Sequence, residues 1–176
     1  MNRSLCIHFG VCGGCSYQDI PDEAYRALKR DIIVGALAGE GFDDAAVEDV
    51  VAVPPNTRRR AALKAEKRRG ETRIGFSAAR SHDVVDMREC QVLTPELFAF
   101  VRGAHEMMNG VLHEGEKAEL HLTQGDNGID MLMRWPRKRD FMVVVEIARH
   151  AERLNLLRVV ANGDLLLEHS LPIVKI

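Results

Sequence analysis

Three cysteines crowd the start of the chain in "CIHFGVCGGC", and a fourth stands alone in "MRECQVL". Cys6, Cys12, Cys15 and Cys90 are all the cysteines present, spaced C-x5-C-x2-C with 74 residues before the last. A thiolate is both a nucleophile and a ligand for soft metals. A structural zinc site of four cysteines usually draws them as two close pairs. A loop giving three and a remote segment giving one is the division common around iron–sulfur clusters. The spacing therefore reads first as an iron–sulfur cluster site, with zinc as the alternative. The ferredoxin run C-x2-C-x2-C-x3-C-P is absent, which argues against a small electron carrier. Gly13-Gly14 lets the loop turn tightly and brings amides near sulfur without a Cβ in the way. His8 beside the loop reads as a polar neighbour rather than a ligand.

The second chemical feature is charge. The whole chain carries a formal net charge of only −2 over 176 residues, which argues against a generic polyanion binder. Its distribution is uneven. From Arg58 to Arg73 eight Lys/Arg stand against two Glu, whereas Asp19 to Asp49 holds nine acids. Arg58, Arg59, Arg60, Lys64, Lys67 and Arg69 are the candidates for contacting phosphates. A second knot, "RWPRKRD", adds Arg134, Arg137, Lys138 and Arg139 around Trp135. The tryptophan reads as a core residue before it reads as a base-stacking one.

The elements that must position these residues follow from periodicity. "PDEAYRALKRDIIVGALAGEGF" is an amphipathic helix, with Tyr25, Leu28, Ile32 and Ala36 at helical spacing. "VEDVVAV" reads as a short strand. "RRRAALKAEKRRGETRIGFSAA" is a hairpin turning at Arg69-Gly70, and "DVVDM" a third strand leading into Cys90. "TPELFAFVRGAHEMMNGVL" is a second helix with Thr94 as N-cap and Pro95 in its first turn. "AELHLTQ", "IDMLMRW" and "FMVVVEIA" read as strands, and Asn162-Gly163 marks a closing hairpin. The expected fold class is α+β, a mainly antiparallel sheet with two main helices and an N-terminal cysteine-rich loop. No apolar run is long enough for a membrane span, and the N-terminus lacks the apolar stretch of an export signal. A cytoplasmic protein, monomeric and away from membranes, is expected.

Beyond the individual features, "C-x5-CGGC-x2-Q" from Cys6 to Gln18, with Tyr25 and Lys29 after it, resembles the iron–sulfur-containing RNA uracil-C5 methyltransferases. The likeness continues through "RRRAALKA", Gly75-Phe76 and "SHDVVDMRECQVL", then thins after about residue 97 to an agreement of element pattern. The resemblance implies that Cys90 completes a [4Fe–4S] cluster and that the partner is structured RNA, ribosomal or transfer. It implies a division at 93/94: residues 1–93 carry the cluster loop, helix and basic hairpin, and 94–176 the helix and strands of the same central domain. Members usually add a TRAM-type RNA-binding domain and a Rossmann-like domain that binds S-adenosylmethionine. Neither is found here.

All four cysteines are committed to the cluster, so no catalytic nucleophile and no cofactor-binding loop is expected in this chain. "VGALAGEGF", its glycine-rich stretch, follows a helical pattern and reads as a helix end. The chain is thus expected to hold RNA rather than to methylate it alone. A stand-alone four-cysteine zinc or redox module acting as a scaffold is the alternative.

Overall fold

In the computed structural model, residues 5–137 and 140–174 are described. Nine elements follow one another: α1 (Asp22–Gly39), β1 (Arg60–Arg68), β2 (Glu71–Gly75), α2 (Pro95–Val111), β3 (Lys117–Gln124), β4 (Ile129–Arg134), α3 (Phe141–Ala151), β5 (Leu156–Ala161) and β6 (Asp164–Glu168). The strands form one sheet in the order β2-β1-β3-β4-β5-β6. Every neighbouring pair is antiparallel except β4 with β5. The sheet therefore runs across the 93/94 division without a break. The class is α+β, as expected.

Alternation along β1 decides how the layers stack. Ala61, Leu63 and Ala65 turn inward, where they meet Leu120 and Leu122 of β3 and the buried face of α2. That helix hides Leu97, Phe100, Val101, Ala104, Met107, Met108 and Val111. Burial of each large side chain contributes about 1.5–3 kcal/mol, so the helix stays docked. Its start is capped as the sequence predicts, with the Thr94 hydroxyl accepting from the Leu97 N–H. Both hairpin turns also form where expected. Arg69 and Gly70 take φ of 56° and 77°, Asn162 and Gly163 φ of 52° and 94°, the left-handed pair that a two-residue turn requires.

Three expected strands differ. "FMVVVEIA" is the helix α3, making three helices rather than two. The Asp140 carboxylate caps it by accepting from Met142 N–H at 3.0 Å, and Val143, Ile147, His150 and Ala151 bury one helical face. A short apolar run suits either period; here topology decides, because parallel β4 and β5 need a crossover between them. "VEDVVAV" forms no strand. Among the described residues no strand pairs with it, Val51 is 92% exposed, and α1 holds it through Arg26 to the Val50 carbonyl and Arg30 to the Val47 carbonyl. "DVVDM" is reduced to a single bridge between Ser77 and Val84, flanked by bonds from Val85 N–H to Phe76 O and from Met87 N–H to Ile74 O. The amphipathic α1 forms, but buries none of its residues.

Candidate metal centre and nucleic-acid interface

The N-terminal loop folds against the end of the first hairpin. Cys12 bridges to Ala78, Gly13 N–H donates to Ser77 O at 2.9 Å, and Ala79 N–H returns to Val11 O. The glycine pair is needed for this contact more than for a turn. A Cβ on Gly13 would stand 2.8 Å from the Ser77 carbonyl oxygen, and one on Gly14 2.8 Å from the Phe76 ring. Gly14 N–H also points at the Cys12 sulfur, 3.4 Å away. Gln18 Oε1 accepts from Cys6 N–H at 3.1 Å and so holds the first cysteine.

Cys90 arrives from the other side. Asn56 N–H bonds to Gln91 O, Arg58 N–H to Val92 O, and Thr94 N–H to Arg58 O, all at 3.0–3.1 Å. This short parallel zipper fixes the segment that carries the fourth thiol. The result is one cavity lined by all four cysteines together with His8, Gln18, Arg58 and Phe76. All four are free thiols, each half-buried. Burial pushes the Cys6 and Cys12 thiols up, and the neighbouring cysteines push in the same direction. Among the described residues, no three Cys, His, Asp or Glu side chains stand close enough to hold a single metal ion. Four thiolates on one zinc, with bonds near 2.3 Å, would sit roughly 3.8 Å apart.

The cationic candidates separate into two groups. Arg59 is ion-paired with Asp126 and donates to Gln124 O. Lys67 donates to the Asn109 carbonyl at 2.6 Å, near the C-terminal end of α2. Arg58 lines the cysteine cavity. Arg60 and Lys64 alternate with the buried alanines and leucine of β1, so they lie on the sheet face away from α2. Arg69 sits in the hairpin turn, whose two N–H groups, from Arg69 and Gly70, both donate to the Glu114 carboxylate. Those two bonds hold the Glu114 carboxyl below its usual range. Trp135 is buried in the core, with Arg137 stacked 4.4 Å from its ring centre. Arg137 is anchored to Glu116 and to the Val111 carbonyl. Lys138 and Arg139 lie outside the described residues.

Comparison with known proteins adds a family. The chain is 38% identical over 126 residues to an uncharacterized RNA methyltransferase of Brucella suis, an alignment covering 72% of this chain and 30% of that protein. It is 29% identical over 183 residues to an uncharacterized RNA methyltransferase of Agrobacterium fabrum, covering 97% of this chain and 42% of the relative. It is 31% identical over 135 residues to a 23S rRNA (uracil(1939)-C(5))-methyltransferase of Halomonas elongata, covering 76% of this chain and 28% of that enzyme. No family model matches the chain.

The chain belongs to the RNA uracil-C5 methyltransferase family.

It spans 28% to 42% of the length of these three relatives, and none of its described helices is long and apolar enough to cross a membrane. What sequence reading missed in this family member is a matter of faces. Arg68 and Arg73 join Arg69 and Glu71 around a groove of about 380 Å³ at the hairpin tip. Lys117 and Arg134 join Lys64 and Glu119 around a second groove of about 310 Å³. The signal was present in the alternation of β1, but the partners on β3 and β4 lie more than fifty residues away.

Proposed function

We propose that this chain is the [4Fe–4S]-bearing, RNA-holding part of an RNA uracil-C5 methyltransferase, gripping a ribosomal or transfer RNA while methyl transfer from S-adenosylmethionine is carried out by residues that it does not contain. The observation that carries the reading is the meeting of Cys6, Cys12, Cys15 and Cys90 at one cavity from segments 75 residues apart. The donor set suits a cluster, since four soft thiols line one cavity and divide as three from a loop and one from a remote segment. A bound cluster would supply a rigid cross-link between the N-terminal loop and the segment before α2. Methyl transfer itself moves no electrons through iron, so the role assigned is structural.

This chain's own residues explain the rest. Gly14 N–H is positioned to stabilise charge on the Cys12 sulfur. Arg58 brings a guanidinium to the cavity wall, where four thiolates would concentrate negative charge. Closing the long loop between Cys15 and Cys90 lowers the entropy of the unfolded chain, so the site also stabilises the fold. Holding a folded RNA would help a target uridine leave its stack and enter a neighbouring pocket.

The test is anaerobic reconstitution with iron and sulfide, followed by iron and acid-labile sulfide analysis and a visible spectrum. The expected product is coloured and contains both elements, and Cys→Ser at any of the four positions removes them. Tight binding of one zinc in place of iron and sulfide would overturn the cluster. S-adenosylmethionine binding or RNA methylation by this chain alone would overturn the division of labour.

A further inference from the structure

The sheet has one face covered by α2 and α3 and one that neither covers. Arg60, Lys64 and Arg68 point to the second face, alternating with the buried Ala61, Leu63 and Ala65. Pairing registers put Arg73 and Lys117 opposite Glu66, and Arg134 opposite Glu119, on that same face. Both grooves therefore open on it.

Three acids of this face are satisfied within it, and Glu71 lies opposite Arg68 at the hairpin tip. Lys117 pairs with Glu66 at 3.0 Å and Arg158 takes Asp130 through two bonds of 2.9 Å. Glu119 has Arg134 at 3.9 Å and His121 at 3.8 Å. Among the described residues, Arg60, Lys64, Arg68 and Arg73 make no ion pair. A row of unneutralised cations on a strand is matched by a row of anions.

We propose that this helix-free face is where the RNA backbone lies, its phosphates running from the groove at the hairpin tip, along β1, to the groove between Lys64 and Arg134. The inference rests on the RNA-holding reading above and adds the surface. Lys64 and Arg68 are four strand residues apart, about 13 Å. A nucleic-acid strand with a charge every ~3.4 Å presents about four phosphates over that length. The strand residues of this face include no Phe, Tyr or Trp, and Trp135, which lines the second groove, is only 5% exposed with Arg137 stacked on its ring. Recognition is therefore by phosphate position and RNA shape rather than by stacking on bases.

The experiment compares three double variants of the reconstituted chain: R68Q/R73Q at the tip groove, K64Q/R134Q at the second groove, and R102Q/R149Q on the helix side. Each is titrated with a labelled RNA stem-loop and with oligouridylate at several salt concentrations, after its melting curve is matched to wild type. Each double on the open face should weaken binding about tenfold at 0.15 M salt and reduce the slope of log K against log salt by roughly 1.4 for single strands. The helix-side double should bind like wild type. Equal losses from all three would show net charge and not a surface, overturning the proposal. Wild-type affinity in both open-face doubles would overturn it too, and binding of polyglutamate by wild type in that case would assign the face to an acidic protein partner. If wild type binds neither RNA, the RNA-holding function falls first and this inference with it.

Discussion

His8 Nε2 accepts a hydrogen bond from the backbone N–H of Arg88 at 3.0 Å, joining residues 80 positions apart. His8 stands two residues after Cys6 and Arg88 two before Cys90, so the bond fastens the two halves of the cysteine site. It also commits that imidazole nitrogen to a protein partner.

Replacing His8 by Ala should therefore loosen the site without removing a sulfur. A net loss of about 1 kcal/mol is expected for one hydrogen bond, read as a lower urea midpoint. Faster loss of bound metal to a chelator should accompany it. An unchanged rate of loss would mean that the latch does not hold the site.

Glycine positions should divide by what a methyl group would meet. At Gly75 a Cβ would stand 2.0 Å from the Val85 carbonyl oxygen, against 2.8 Å from Ser77 O at Gly13. Both face backbone that cannot swing aside. Gly75→Ala should destabilise by more than 3 kcal/mol, ~3 being the upper end for ordinary overpacking, and Gly13→Ala by about 1–3 kcal/mol. Gly35→Ala, in α1 with nothing within 4 Å, should instead stabilise by up to about 1 kcal/mol. Thermal melts of the three variants give the order directly.

The hairpin tip should respond to acid. Glu114 has its carboxyl held low by the Gly70 and Arg69 N–H bonds. A depressed folded-state value means that the carboxylate stabilises the turn at neutral pH, above its unfolded value. That contribution is lost as pH falls through the lower folded value. Amide exchange at Arg69 and Gly70 should lose protection below the usual glutamate range, and Glu114→Gln should remove this pH dependence. Protection in wild type that stays constant through acid would contradict the assignment.

Asp140→Ala tests why α3 is a helix. Loss of the bond to Met142 N–H should cost about 1 kcal/mol, with the fold retained because Val143, Ile147 and Ala151 remain buried. A loss of helical circular dichroism far beyond one frayed turn would show that the cap, and not burial, holds the helix.

Local chemistry was legible in the chain itself. The turns at Arg69-Gly70 and Asn162-Gly163, the cap at Thr94 and the inward alternation of Ala61, Leu63 and Ala65 depend on neighbours within a few residues, and each forms as read. The three near cysteines and the remote one line one cavity, and no other thiol competes for the fourth place. Three things were decided only by long-range partners. "FMVVVEIA" fits either period, and the parallel pairing of β4 and β5 makes it the crossover helix. "VEDVVAV" has strand-forming residues but no strand beside it, so its backbone groups turn to Arg26 and Arg30. The basic segment gave a count of charges, whereas the sheet sorted them. Arg59 and Lys67 are bound to Asp126 and the Asn109 carbonyl, while Lys64, Arg68 and Arg73 share the open face. A strand's two faces are implicit in its sequence, but which one is covered depends on where the helices dock.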